Sequence, residues 1–385
     1  MRIVWTRKIK KNRKQVKKML KVLYLINHAG KAGTERYVQS IIERLNGDKI
    51  KAYLVYNEGG LLVEQLEALG VETFRLSMKN PFDIVAAFRL SKLCRKLGID
   101  LIHAQYLREN YIALWSRLFN TKTKVMYTNH FILENNALLR FFNRILTPLE
   151  SNIAAVCNKG KDMMISNGVN GRKIKVIFNG VDPSHWGEPV PSTMRQEYGI
   201  DNDTFVLLCA SRFAYDKGHE FLINSIAELK KIARRKFICV LANDGPFLEE
   251  RKKQASELGL MDDIIFTGFR KDIENLINGS DLYINSSAHE ALSFAILEVL
   301  ASGLPVIATD MGGNGDIINN ETNCGILVKY NDAKGLATAI DKVMEDKELQ
   351  KTLRENALKT VKEKFNLDKM VAETYNLYRK SCGKE

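Results

Sequence analysis

From Lys21 onward, short runs of Val, Ile, Leu and Tyr alternate with longer stretches in which apolar residues recur at helical spacing. The first series predicts strands over residues 22–27, 52–56, 72–76, 101–105, 124–129 and 153–157. The alternation pauses over residues 179–192, where Gly180, Pro183, Gly187, Pro189 and Pro191 cluster as a linker. It resumes with expected strands over 205–210, 237–242, 263–267, 281–285, 305–308 and 325–328, and the chain finishes in helices over 333–345, 347–364 and 368–380. Strands alternating with helices across short loops imply parallel, doubly wound sheets. The expected fold class is therefore α/β, with two facing Rossmann-like domains whose ligand sites lie at the carboxyl ends of the strands, in the cleft between them. The corresponding boundaries are a basic extension over 1–18, a first domain over 19–180, a linker over 181–192, a second domain over 193–365, and a final helix over 366–385 that crosses back to pack on the first domain.

A chain of 385 residues with 45% apolar content can bury the cores of two ordinary domains. Charge refines this division. The net charge of +13 is the resultant of +9 over residues 1–18, +10 over 19–180 and −6 over 181–385. Residues 1–18 are left out of the fold reading, because Met19 directly precedes the first strand and could itself be a start. No helix-turn-helix, RNA-binding aromatic motif or zinc spacing accompanies the basic half, so a nucleic-acid partner is not expected. An anionic membrane surface or acceptor fits the charge better. Residues 136–149 offer a contact, since Leu138, Leu139, Phe141, Phe142, Ile145 and Leu146 alternate there with Arg140 and Arg144. A basic amphipathic helix can lie in a membrane interface, while the competing reading is a helix that turns its apolar face to the core. The six cysteines are scattered singly, no apolar run reaches the roughly 20 residues that span a bilayer, and the start lacks a signal peptide's apolar centre. The expected location is cytoplasmic, with peripheral attachment to the inner face of the cell membrane.

The densest chemistry lies between Ser287 and Gly313. Ser293 is placed to cap a helix over 294–301, Gly303 suits its end, and Pro305 opens the next strand. Glu290 then stands before the helix and Glu298 within it. A helix start favours phosphate through its unpaired N–H groups, whereas a carboxylate accepts hydrogen bonds of the kind sugar and ribose hydroxyls donate. Arg212 and Lys217 follow the strand over 205–210, with Gly218 allowing close backbone approach. Two cations at a strand's carboxyl end can clamp a diphosphate, Arg bidentately and Lys as a point charge.

Taken in order, these elements resemble the retaining glycosyltransferases of family 4 (group 1), which have the two-Rossmann GT-B architecture. The resemblance rests on FNGVDPSHW (178–186), Arg212 with Lys217-Gly218, NDGP (243–246), TGFRKDI (267–273) and the Glu290/Glu298 block. It implies that Arg212 and Lys217 hold the donor diphosphate, Glu290 the donor sugar and Glu298 the ribose. Backbone around Ala291, Leu292, Ser293 and Phe294 would meet sugar and phosphate, and Phe269 with Arg270 would lie near the base. The first half matches more loosely. Its stretch GKAGTE, including Gly30, Gly33 and Thr34, resembles the family's glycine-rich loop, with Ala32 where a second Gly is common. His130, in YTNHF, matches a His placed against the donor sugar, and His103, at another strand end, is a second candidate for the cleft. Asn243 stands where Gly is frequent, and Ser293-Phe294 where Gly and an apolar residue are common.

The function so implied is retaining transfer of a sugar from a nucleotide-diphosphate sugar, UDP-sugar favoured, to a hydroxyl of a glycan or lipid-linked acceptor in cell-envelope or exopolysaccharide synthesis. No cofactor or metal is expected, since Arg and Lys take a cation's place, and Asp201-Asn202-Asp203 reads as a turn before a strand. The alternatives are a sugar-nucleotide epimerase of the same architecture and a non-catalytic nucleotide-sugar-binding subunit of a glycosyltransferase complex.

Overall fold

The computed structural model describes residues 19–187 and 191–384. The basic extension over 1–18 and linker residues 188–190 lie outside the described residues. The first sheet comprises β1 (Leu20–His28), β2 (Ile50–Glu58), β3 (Glu72–Arg75), β4 (Leu101–Ala104), β5 (Lys124–Asn129), β6 (Asn152–Ala155) and β7 (Ile174–Val176). Every pairing is parallel, in the order β3-β2-β1-β4-β5-β6-β7. Central β1 is buried on both faces, with Val22 to Ile26 at 0% exposure, as parallel strands between two helical layers require. Strand β7 was not expected from the sequence. Its three residues, Ile-Lys-Val, are too few to show a period, and they are strand because β6 supplies the pairing edge.

The second sheet comprises β8 (Phe205–Ala210), β9 (Phe237–Ala242), β10 (Ile264–Gly268), β11 (Leu282–Asn285), β12 (Val306–Thr309) and β13 (Gly325–Val328), all parallel, in the order β10-β9-β8-β11-β12-β13. In both sheets the order reverses beside the first strand of the domain, and that crevice is where a doubly wound sheet binds its ligand. Asp201 ion-pairs with Lys236 at 2.8 Å, and Asp201 O accepts from Thr204 N at 3.1 Å, which makes the Asp-Asn-Asp string a turn leading into β8.

The chain passes between the domains twice, and the two crossings touch. Val181 donates its N–H to Phe365 O at 3.0 Å, and Leu367 donates to Val181 O at 2.9 Å. A Cβ on Gly180 would fall 2.5 Å from Asn366 O, so only glycine permits this approach. Beyond the crossing, the Leu367–Ser381 helix joins the first domain's core, burying Met370, Val371, Leu377 and Tyr378 against residues of β1 and the Gly33–Leu45 helix. Five of the six cysteines are buried and all are free thiols. Among the described residues, no helix is long and apolar enough to cross a membrane.

Candidate functional site

The carboxyl ends of both sheets open on one cleft of about 650 Å³. Ten residues singled out in the sequence line it: Gly33, Thr34 and His130 from the first domain, and Arg212, Lys217, Glu290, Ala291, Leu292, Ser293 and Phe294 from the second. On the second-domain wall, β8 delivers Arg212, which forms no ion pair among the described residues. A turn over Tyr215–Lys217 then presents Lys217. Its Nζ lies 2.8 Å from Glu290 Oε1 and 3.6 Å from Asp216 Oδ2. Burial alone would lower the Lys217 pKa, but Glu290 and then Asp216 more than offset it and hold the ammonium above its usual range.

Glu290 sits in the loop between β11 and the Phe294–Ala301 helix, and it also accepts from Ser287 Oγ at 2.9 Å. This loop is braced from two sides. Ala288 N donates to Asp216 O at 2.8 Å, and Gly313 N donates to Ala291 O at 2.7 Å. Gly312 has φ +57°, and a Cβ there would collide with Glu290 O at 1.6 Å. The helix begins as its sequence predicts, with Ser293 Oγ accepting from Ile296 N and its first turn directed at the cleft. Across the gap, a Cβ on Gly33 would lie 3.5 Å from Phe294 Cδ2, so two helix starts face one another.

His130 projects from the end of β5 and is 8% exposed. Its Nε2 lies 3.0 Å from Gln105 Oε1, and the Tyr37 ring meets it edge-on at 4.9 Å. Burial pushes its pKa down to about 3, so the ring is neutral at physiological pH.

Other expected residues lie elsewhere. His103 is not in the cleft. It is fully buried beneath the last helix, with Nδ1 2.7 Å from Tyr378 Oη and Nε2 2.7 Å from Thr128 Oγ1, and burial lowers its pKa to about 3. The side chain of a strand-end His can point either way, and here the core side wins because the C-terminal helix covers it. Glu298 is 9% exposed and faces Arg36 of the first domain, not the cavity. Phe269 and Arg270 follow β10 outside the cavity lining. The Arg270 fork is spent on Asp272, at 2.7 and 2.8 Å, and on Glu197, while the Phe269 ring lies 6.0 Å from Lys31 Nζ. Gly30 sits behind the loop, where a Cβ would meet the His28 ring.

Two residues escaped the sequence reading. Arg36 packs its guanidinium 5.2 Å from the centre of Phe294 and 5.8 Å from that of Trp186 while contacting Glu298, and desolvation lowers its pKa to about 10. Gln105 is fully buried behind His130. The period-two alternation along β4 places residue 105 on the same face as 103, and that was the available signal.

Residues 191–360 match the family described as glycosyl transferases group 1, and residues 32–185 match glycosyltransferase family 4. An uncharacterized glycosyltransferase of Methanocaldococcus jannaschii is 29% identical over 215 residues, a span of 54% of each chain. The UDP-Gal:alpha-D-GlcNAc-diphosphoundecaprenol alpha-1,3-galactosyltransferase of Escherichia coli is 24% identical over 90% of this chain and 93% of its own. Among solved structures, a glycosyltransferase from Rickettsia africae superposes with TM-score 0.85 at 24% identity, over 95% of this chain and 100% of that one. Anabaena HepE in complex with UDP-glucose superposes with TM-score 0.79 at 24% identity, over 93% and 99%. At these identities the structural likeness speaks for the fold.

Proposed function

The chain belongs to the group 1 glycosyltransferases of GT-B architecture, and from that premise we propose that it moves a sugar from a UDP-sugar to a hydroxyl of a glycan or lipid-linked acceptor in envelope polysaccharide synthesis, retaining anomeric configuration and using no metal. The observation that carries the reading is the Lys217–Glu290 pair at the mouth of a helix start, with Arg212 beside it and His130 across the cleft. Departure of a nucleoside diphosphate needs its developing charge stabilised by groups already in place. Arg212, Lys217 and the N–H groups at Phe294 and Ala295 are such groups. A diphosphate arriving at Lys217 competes with Glu290 for the ammonium, and the carboxylate so released can accept hydrogen bonds from donor-sugar hydroxyls. Glu298 takes the ribose only by exchanging its contact with Arg36. On this reading no side chain acts as a covalent nucleophile. Retention then follows from front-face attack, in which the departing phosphate receives the acceptor's proton and the closed cleft excludes water.

The named Escherichia coli relative acts on a lipid-linked sugar diphosphate, and the Ala137–Leu146 helix of the first domain supports an acceptor of that kind here. This helix divides its apolar residues between two faces. Leu146 is buried and Leu139 and Phe142 pack on the core, whereas Leu138, Phe141 and Ile145 are each more than half exposed. Residues spaced three and four apart share one outward stripe, next to Arg144 and near exposed Leu149. We assign this stripe to contact with an anionic membrane surface.

The test is turnover. Purified protein is incubated with UDP-, GDP- and ADP-hexoses and an undecaprenyl-diphosphate-sugar acceptor. Release of nucleoside diphosphate together with a new α-linked product is the expected result. An isomerised nucleotide sugar would identify an epimerase, and saturable binding without turnover would identify a binding subunit. Either outcome overturns the reading.

A further inference from the structure

Behind His130 lies a hydrogen-bonding chain that the reaction as described does not use. Gln105 follows β4, is fully buried, and donates its backbone N–H to Leu25 O at 3.1 Å. Its side-chain Nε2 donates to His103 O at 3.1 Å, and its Oε1 lies 3.0 Å from His130 Nε2. A peptide carbonyl can only accept, so the amide group has one orientation: NH₂ toward His103 and oxygen toward His130. That oxygen can only accept as well, so the hydrogen between Gln105 and His130 must reside on His130 Nε2. In a neutral imidazole the other nitrogen then carries a lone pair and no proton. The Nε2–Gln105 contact is the one hydrogen bond of the His130 ring among the described residues, which leaves Nδ1 without one, and the side chain lines the cleft.

We infer that Gln105 is a positioning residue that locks His130 as the Nε2–H tautomer, so that the cleft offers a bare acceptor to the donor sugar and selects a hydroxyl over a carboxylate at the position facing Nδ1. The inference rests on the reading of this cleft as the donor site and adds the kind of sugar it takes. A hydroxyl can donate to the Nδ1 lone pair. A uronate carboxylate at the same place has no proton to give and sets lone pair against lone pair. Two features keep the ring from adapting by rotation. Tyr37 packs edge-on against it at 4.9 Å, and a ring flipped about Cβ–Cγ would bring Cε1–H in place of Nε2–H against Gln105 Oε1 and forfeit that hydrogen bond. Protonation would abolish the selectivity by making both nitrogens donors, and burial opposes it. The device therefore discriminates between neutral hexoses and their uronic acids.

Two measurements on the full chain test this. The first is ¹⁵N NMR of labelled protein without ligand, in which His130 should show a protonated Nε2 and an unprotonated Nδ1 across neutral pH. The second is competition binding of UDP-glucose against UDP-glucuronate, UDP-galactose against UDP-galacturonate, and GDP-mannose against GDP-mannuronate. For the pair whose hexose binds, the uronate should bind about fivefold more weakly, the worth of one neutral hydrogen bond. Gln105→Met, which fills the space without an acceptor, should let both tautomers form and narrow that ratio toward unity. A merely structural Gln105 would move affinity for both members of a pair equally. A protonated Nδ1 in the wild type, or an unchanged ratio in a folded Gln105→Met variant, overturns the tautomer lock while leaving the donor site standing. Failure of every nucleotide sugar to bind overturns the donor-site reading, and the selectivity falls with it.

Discussion

Lys217 and Glu290 neutralise each other on the cleft wall, so each removal exposes the other's role. Lys217→Ala takes one preorganised charge from the leaving diphosphate, and Glu290→Ala takes the acceptor offered to the sugar. Loss of one such contact costs about 2.7–4 kcal/mol of barrier, so each variant should lose on the order of 10²–10³-fold in kcat while its melting temperature holds, since both side chains face the cleft. Near-normal turnover in a folded variant would remove both from the donor site. These two were legible in the sequence because strand-end cations and a helix-start carboxylate follow from local order along the chain. His103 was not, because its environment is made by Tyr378, 275 positions away. Buried acids were equally hidden. Glu109 and Glu150 belong to no pattern that the sequence singles out, and they are 0% and 6% exposed. Burial raises the Glu109 carboxyl from 4.5 to about 7 and the Glu150 carboxyl to about 8, although Asn110 donates to Glu150 at 2.6 Å. The sign follows from proton counting. Between 4.5 and these raised values the folded chain keeps protons that the unfolded chain has released, so stability falls as pH rises through that window. Buried neutral His103, His130 and His219 push the other way below about 6.5, so melting temperature should slope downward from about 6.5 to 8, and Glu109→Gln with Glu150→Gln should flatten it there. An unchanged slope in the double variant would show that neither acid governs it.

At the scale of elements, strand and helix periodicity located twelve strands, and the missing β7 is the one too short to carry a period. The capped start at Ser293 was readable because the whole signal lies within a few residues. The loop brace at Gly312 was not, because it depends on contact with Glu290 O across the next strand. The Ala137–Leu146 helix shows the limit of pattern alone. Its sequence left a core-facing and a membrane-facing helix as competing readings, and the fold buries Leu146 on one face while Phe141 lies on an exposed one. The exposed stripe makes a concrete expectation. A chain beginning at Met19 should sediment with vesicles rich in anionic lipid at low salt and release them at high salt. Leu138→Ser with Phe141→Ser should weaken binding through lost apolar insertion, and Arg144→Glu should weaken it through charge. Equal sedimentation with neutral and anionic vesicles would exclude an electrostatic dock.

The whole molecule adds what neither residues nor elements carry: a relation between two domains. Their chain crossings at Val181 and Leu367 are hydrogen-bonded side by side, so the two covalent links between the domains run together. At the rim, Lys159–Asp310 is an exposed pair at 3.2 Å, with both partners more than half accessible, and contributes little. Asn158 adds two bonds to Asp316, each of 2.7 Å and exposed. Arg36 is different. It passes between Phe294 and Trp186 to reach Glu298, and all three belong to the linker or the second domain. Glu298, at 9% exposure, has this guanidinium as its charge partner, so deleting Arg36 strands a carboxylate in a closed interface. Stranding one member of such a pair commonly costs about 3–5 kcal/mol, and opening the cleft to water is the available relief. Arg36→Ala should therefore increase the radius of gyration in solution scattering without ligand and speed amide exchange in the first turn of the Phe294–Ala301 helix. Arg36→Ala with Glu298→Ala removes the stranded charge and should return the scattering curve most of the way to the wild type. An unchanged curve for the single variant would mean that apolar contact across the cleft, and not this ion pair, sets the resting state. A double variant as open as the single one would mean that the packing of Arg36 on its two aromatic rings matters more than its charge.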